Sequence, residues 1–203
     1  MKQLTTYLNE DFKISNRTSF KQFFPKTYHE LRDIISERLK KSTDIDMRDV
    51  DVSNVDSFTT EMNKTQVGLF DSFVDGEHYE GITSIDITGW DITHLKDISN
   101  MFWQCFNLQK IKGLETLDVS NITNFDSIFN ECEQLQVIDI SQWKIQNSAI
   151  VEQMFAGCAN LQVLNLPKNF EHIVKTTNCN TERIFESIPD DLIPDWYKKM
   201  YEQ

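Results

Sequence analysis

Apolar residues recur along this chain in a pattern in which four residues at helical spacing are followed by two or three at strand-like spacing. In the central copy the helical set is Phe125, Ile128, Phe129 and Cys132. The spacing i, i+3, i+4, i+7 predicts one face of a short helix. The strand set of that copy is Leu135, Ile138 and Ile140. The pattern therefore predicts a unit of one short helix and one short strand.

The same unit occurs before and after the central copy. The earlier copy comprises Ile98, Met101, Phe102, Cys105, Leu108 and Ile111, and the later one comprises Val151, Met154, Phe155, Cys158, Leu161, Leu164 and Leu166. Phe102 precedes Phe129 by 27 residues, and Phe129 precedes Phe155 by 26. A regular period in this range predicts stacked repeats, because one such unit cannot cover its own apolar face.

A degenerate copy is predicted upstream, because residues 51–55 resemble residues 118–122 almost position for position. Its helical set is Leu69, Phe70 and Phe73, and its strand set is Ile82, Ile85 and Ile87. Two insertions interrupt it, at residues 60–66 and 74–81. The second contains Asp75-Gly76 and Gly81, which is typical of a surface loop.

Apolar, Cys, Leu and Asp-x-Ser positions recur together in the strings MFWQCFNLQKI, LDVSNITNFDSIFNECEQLQVIDISQW and MFAGCANLQVLNL. This combination resembles the BspA-like leucine-rich-repeat proteins over about residues 46–170. The chain departs from that pattern in its interrupted first copy and at residues 144–147, where Asp-x-Ser-Asn is expected. The resemblance implies an α/β fold, a right-handed solenoid of about four helix–strand coils, used to recognise proteins or surfaces. It brings no catalytic residues.

Both ends of the repeat region are predicted to carry helical caps, which gives an N-terminal region 1–45, a solenoid 46–170 and a C-terminal region 171–203. Residues 1–15 have an amphipathic helical pattern, and we interpret them as a cap or as a docking peptide for a larger assembly. The amphipathic face comprises Leu4, Tyr7, Leu8 and Phe12. Thr27 and Glu30 form a capping box, which predicts a helix start. The apolar face of that helix comprises Leu31, Ile34, Ile35, Arg38 and Leu39.

In the C-terminal region, residues 169–180 are predicted to be a connector and residues 181–188 a helix. The inward residues of that helix are Ile184, Phe185 and Ile188. Pro194 then opens a second helix over residues 195–202, because proline is favoured at a first helical position. We interpret this last helix as a cap, with an aromatic contact to a partner as the alternative.

The net charge and the lengths of the apolar runs predict which partners and which location to expect. The 203-residue chain has a net charge of −12 and no basic run, so we expect neither nucleic acid nor an anionic membrane surface as a partner. It has no apolar run near the ~20 residues of a membrane helix and no apolar leader at its start, so membrane insertion is not expected. These features predict a cytoplasmic or virion-associated protein.

The residues that usually carry chemistry lie at repeat positions or stand alone. Cys105, Cys132 and Cys158 share one position and are predicted to pack as reduced thiols, whereas Cys179 lies outside the repeats. No cysteine pair has zinc spacing, no histidine has a second ligand at helical spacing, and no nucleotide-binding loop occurs. The recurring acidic residues are Asp86, Asp91, Asp118 and Asp139, and we predict turn formation rather than calcium binding or catalysis. We expect no catalytic, metal or cofactor-binding residues.

The candidate binding face consists of the strand residues that flank the buried positions. These residues are Ser84, Asp86, Lys110, Lys112, Val137, Asp139, Val163 and Asn165. Solenoids commonly bind along such a ladder. The sequence therefore predicts a non-enzymatic recognition or scaffold module for a protein partner. A structural or cargo component of a phage-like particle and an exported adhesin are the alternatives.

Overall fold

The computed structural model of the protein describes residues 21–62, 65–70 and 81–201. Within these ranges the α-helices are α1 (Tyr28–Leu39), α2 (Phe170–Thr176) and α3 (Asp195–Tyr201). The strands are β1 (Asp44–Asp46), β2 (Thr59–Met62), β3 (Thr65–Gly68), β4 (Ser84–Asp86), β5 (Lys110–Lys112), β6 (Val137–Asp139) and β7 (Val163–Asn165). The predicted helix in residues 1–15, Phe73 and most of the second predicted insertion lie outside the described residues.

Equivalent positions of successive repeats pair as parallel strands. One sheet has the order β1–β4–β5, with Ile45, Ile85 and Ile111 in register, and another pairs β6 with β7, with Ile138 opposite Leu164. Alternation of side chains along each strand directs these central residues inward. The predicted boundary between residues 45 and 46 falls inside β1, so the repeat sheet begins earlier than the sequence indicated. The described residues of the first predicted insertion lie in β2 and β3, which pair antiparallel.

The helices predicted within the repeats are absent from the described residues, so that part of the prediction is wrong. Residues 98–108, 125–135 and 151–161 form consecutive turns. Alternate backbone N–H groups of residues 98–104 donate to carbonyls of residues 124–130, and those of 125–131 donate to 150–156, at 2.7–3.2 Å. A helix would need the same N–H groups for carbonyls four residues earlier. Several non-glycine residues also have a positive φ, which an α-helix excludes. These residues are Asn100, Gln104, Ser127, Glu131 and Gln153.

The C-terminal region also differs from the prediction. The predicted connector contains α2, whose Phe170, Ile173 and Val174 are buried. Residues 181–188 are not a helix but a further copy of the turn segment, because the N–H groups of Phe155 and Gly157 donate to carbonyls of residues 184 and 186 at 3.1 and 2.8 Å. The turn segment therefore recurs once more than the sequence indicated.

Five phenylalanines at one repeat position form the centre of the core. We call this set the phenylalanine stack, and it comprises Phe70, Phe102, Phe129, Phe155 and Phe185. Successive ring centroids lie 5.3, 5.7, 6.1 and 5.6 Å apart, with interplanar angles of 2–19°. All five rings are buried. Each repeat therefore contributes the same side chain to one continuous column.

Helix α1 covers the first repeat and begins close to the predicted residue. Thr27 Oγ1 accepts from the N–H of Glu30 at 3.2 Å, as predicted, but the Glu30 carboxylate accepts from the N–H of Lys26 at 2.7 Å. The reciprocal bond thus reaches one residue further back than a standard capping box. Tyr28 Oη donates to the carbonyl of Gly68 at 3.0 Å, and Arg32 Nη1 donates to the carbonyl of the next residue at 2.7 Å. These two bonds fasten α1 to β3.

Helix α3 covers the other end, and it begins directly after Pro194 as predicted. Tyr197 is buried, and its hydroxyl lies 2.7 Å from the carbonyl oxygens of both Thr181 and Glu182, which share its single proton. Burial raises the pKa of Tyr197 to about 12, which extends to higher pH the range over which the phenol is a donor. The last predicted residue of this helix, Glu202, lies outside the described residues.

Candidate binding surface on the strands

The eight predicted binding residues occupy the first and last positions of β4–β7, around a buried or half-buried central residue. Five of them are exposed, namely Lys110, Lys112, Val137, Val163 and Asn165, and Ser84, Asp86 and Asp139 are half-buried. The parallel registers place Ser84 beside Lys110, Asp86 beside Lys112, Val137 beside Val163, and Asp139 beside Asn165. We call this outward set, together with the outward residues of β1, the strand face.

Sequence reasoning missed the contribution of β1. Asp44 and Asp46 are exposed and lie in register with Ser84 and Asp86. The alternation of polar and apolar residues over residues 43–47 was the available signal, because it has the period of a half-buried strand. The sequence prediction instead places the first strand after the second insertion, at residues 82–87.

An ion-pair network occupies the β1–β5 part of the strand face. Arg48 Nη2 lies 2.6 Å from Asp46 Oδ2, and its Nε lies 3.6 Å from Asp86 Oδ2. Lys112 Nζ lies 3.8 Å from the same Asp86 oxygen. The hydrogen bond from Arg48 holds the pKa of Asp46 below its usual value. The Arg48–Asp46 pair is exposed on both sides, and pairs of this kind contribute little to stability, so these two charges remain available to an incoming partner.

The β6–β7 part of the strand face is more apolar. Val137 and Val163 face solvent side by side, and they are 48% and 38% exposed. Asp139 is held beside them, because its carboxylate accepts from Asn165 Nδ2 at 3.0 Å and from Ser141 Oγ at 2.7 Å. The hydrogen bonds from Asn165 and Ser141 lower the pKa of Asp139. Two exposed valines beside a fixed carboxylate give this part a different chemistry from the ion-pair network.

The recurring aspartates outside the strands form turns, as predicted. Asp91 Oδ1 accepts from the N–H of Thr93, and Asp118 Oδ1 accepts from the N–H of Ser120, at 3.0 Å each. The hydroxyl groups of Thr93 and Ser120, and after them these backbone bonds, lower the pKa of the two carboxyl groups. Throughout the described ranges, no group of three or more His, Cys, Asp and Glu side chains is placed to hold a metal ion.

The three repeat cysteines are buried, and each thiol also donates a hydrogen bond. The Sγ atoms of Cys105, Cys132 and Cys158 lie 3.1, 3.0 and 3.2 Å from the carbonyl oxygens of residues 70, 102 and 129. Each acceptor belongs to a phenylalanine of the preceding repeat. Burial raises the pKa of Cys158 to about 12 and also raises that of Cys132. All three thiols therefore link successive repeats, and the raised pKa makes Cys132 and Cys158 poor nucleophiles.

Iodoacetamide is expected to label only Cys179 in the native protein, because the other three thiols are buried. Intact-mass spectrometry should count one adduct under native conditions and four in guanidinium chloride. A Cys179→Ser variant should take up no label while folded. Labelling of any repeat cysteine at the rate of Cys179 would contradict the assignment.

No helix in the described part of the chain has both the length and the apolar character needed to cross a bilayer.

Equivalent strands in register, the phenylalanine stack and the thiols that link successive repeats define a repeat protein. The chain belongs to the family described as "Mycoplasma protein of unknown function, DUF285", whose model matches residues 68–187, more than half of the sequence. The match supports a relation to repeat proteins. Neither a curated protein nor a solved structure matches the chain.

Proposed function

We propose that this protein is a non-enzymatic recognition module, a short leucine-rich-repeat-like solenoid of the BspA type whose strand face binds a protein partner. The observation that carries the proposal is the strand face itself. Five of its eight predicted residues are exposed in parallel register, and they combine cations, valines and an amide. Protein interfaces commonly combine an apolar centre with a polar rim.

The fixed backbone beneath the strand face also supports recognition of a macromolecule. The central strand residues Ile85, Ile111 and Ile138 are buried in the core. The backbone that carries the outward side chains is therefore held in place by packing. A surface already ordered before binding loses less conformational entropy when a partner docks. Repeat proteins use extended surfaces of this kind for binding.

Val163→Glu and Lys112→Glu are expected to reduce capture of the native partner at least tenfold, because both residues are exposed on the strand face. Pull-down from the native source, quantified by mass spectrometry, measures the effect. The melting temperature should change by no more than about 2 °C, since both substitutions are at surface positions.

Lys199→Glu supplies the matched control, because this exposed lysine of α3 undergoes the same charge change away from the strands. It should capture the same proteins as the wild type. Full capture by both strand-face variants would contradict the proposed function.

A further inference from the structure

The sheet splits between β5 and β6. β4 pairs with β5 over three residues, and β6 pairs with β7 over three. Between β5 and β6, the backbone bonding in the described residues is limited to the N–H of Gln136 and the carbonyl of Gln109, at 3.3 Å. The two strands therefore start side by side and then separate.

An extra residue in one repeat accounts for the split. Leu108 precedes Leu117 by nine residues, whereas the equivalent Leu135 precedes Trp143 by eight. The longer segment contains Gly113, with φ of +94°, followed by a 3-10 turn at Leu114–Thr116. A Cβ at residue 113 would lie 2.6 Å from the backbone nitrogen of residue 88, so the chain there presses against the preceding repeat.

The following repeat holds that turn in place. Trp143 is buried, and its Nε1 donates to the carbonyl of Leu114 at 2.7 Å. The turn beside the split is thus held by backbone contacts with the preceding repeat and by the buried Trp143 indole of the following repeat. It is a fixed feature of the fold.

A cleft of about 400 Å³ lies in the split. Ile111 and Leu114 form part of its lining and are only 8% and 3% exposed, whereas Val137 of β6, which also lines it, is 48% exposed. This volume lies near the lower end of the range for ligand pockets. An apolar lining beneath an exposed valine suits one large apolar side chain.

Of the charged side chains that line the cleft, one carboxylate already accepts hydrogen bonds, whereas one cation makes no ion pair within the described ranges. The Asp139 carboxylate accepts from the N–H and hydroxyl of Ser141 and from the amide of Asn165. Lys110 is exposed and makes no ion pair with any described residue. An incoming carboxylate would therefore find a cation with no carboxylate already bound to it. Glu115 also lines the cleft, so we expect that carboxylate to lie toward the lysine.

The facing strands favour an extended backbone as the occupant. Beyond the single bond between residues 109 and 136, the cleft-side edges of β5 and β6 have no strand partner among the described residues. A strand edge presents alternating N–H and C=O groups, which an extended peptide can satisfy. A small molecule would satisfy fewer of them.

We propose that the cleft between β5 and β6 binds an extended peptide segment of a protein partner, inserting an apolar side chain over Ile111 and Leu114 and pairing a neighbouring carboxylate with Lys110. This inference rests on the proposed function and specifies which part of the strand face engages the partner and by what chemistry.

Three synthetic peptides test the proposal by titration into the ¹⁵N-labelled full chain. The probe is acetyl-Asp-Val-Leu-Val-Asp-amide. Its matched controls are acetyl-Lys-Val-Leu-Val-Lys-amide, which reverses the charge, and acetyl-Asp-Ser-Gly-Ser-Asp-amide, which lacks the apolar side chains. We expect saturable amide shifts at residues 109–115 and 136–139 with the first peptide, and at least tenfold weaker binding of the other two.

Two exposed positions provide variants that keep the fold. Lys110→Glu and Val137→Glu should each weaken binding of the probe at least tenfold, whereas Lys199→Glu should leave it unchanged. Shifts confined to other residues, equal binding of all three peptides, or no saturable shift would overturn the proposal. Concentration-dependent shifts of the cleft residues without peptide would place a second copy of the chain there and would also overturn it.

The two proposals fail in different ways. If Val163→Glu and Lys112→Glu abolish partner capture while no peptide shifts the cleft amides, the cleft proposal fails and the recognition function stands. If the probe binds in the cleft but both of those variants capture every partner fully, the broader role of the strand face fails.

Discussion

Phe129→Ala is expected to lower the free energy of unfolding by about 3–5 kcal/mol, the usual cost of removing a buried aromatic ring. Phe129 is fully buried. Its ring centroid lies 5.7 Å from that of Phe102, 6.1 Å from that of Phe155 and 6.5 Å from that of Trp143. The substitution would leave a cavity between two stacked rings. Because repeats contact mainly their neighbours, it would also weaken both adjacent interfaces.

Equilibrium urea unfolding of the wild type and the variant, followed by circular dichroism, measures this loss. Phe24→Ala is the matched control, because Phe24 is 63% exposed and should cost no more than about 0.5 kcal/mol. Equal losses for the two variants would show that the stack is not the core of the protein.

Gly68→Ala is expected to cost about 3 kcal/mol or more, at the upper end of overpacking effects. A Cβ on this residue would lie 1.8 Å from the carbonyl oxygen of Asn100 and 2.1 Å from its carbonyl carbon. Both atoms belong to the backbone of the next repeat, so no side-chain rotation relieves the contact. Either β3 or the turn at Asn100 must move.

Movement of β3 would also loosen α1, because Tyr28 Oη donates to the carbonyl of Gly68. Amide hydrogen exchange should therefore accelerate in α1 of the variant, in addition to the drop in the urea midpoint. Gly81→Ala is the control, since the nearest atom to its added Cβ is a methyl carbon of Thr43 at 3.6 Å. Stability within about 1 kcal/mol of the wild type for Gly68→Ala would contradict the described contact between repeats.

The features predicted correctly have local causes. Alternation around Ile85, Ile111 and Ile138 specifies a strand and its outward residues, because the side-chain period of a strand is two. Asp91 and Asp118 specify turns, because each side chain bonds its own backbone two residues on. In both cases the information lies within a few neighbouring residues.

The turn segments could not be distinguished from helices by spacing alone. Consecutive turns place Phe125, Ile128, Phe129 and Cys132 inward, at the spacing an amphipathic helix would use. What decides between them is the partner of each N–H, and that carbonyl lies in the next repeat, 25, 26 or 29 residues away. The positive-φ residues include Gln, Ser and Glu, so glycine marks few of these positions.

The last copy of the turn segment and the cleft were missed for different reasons. Phe185 follows Phe155 by 30 residues rather than 26 or 27, and Ile188 stands where earlier repeats have cysteine, so the repeat signal weakens. The cleft had a visible signal in the nine-residue spacing from Leu108 to Leu117. Whether the longer spacing opens a cleft depends on how two adjacent repeats pack against each other, and the sequence of one repeat does not specify that packing.

The most direct test of the stacked-repeat architecture is a nuclear Overhauser spectrum of protein with ¹³C-labelled phenylalanine rings. Ring-to-ring contacts should connect Phe70, Phe102, Phe129, Phe155 and Phe185 in that order, because successive centroids lie 5.3–6.1 Å apart. A spectrum in which the rings of Phe102 and Phe129 share no contact would contradict a continuous column through the repeats.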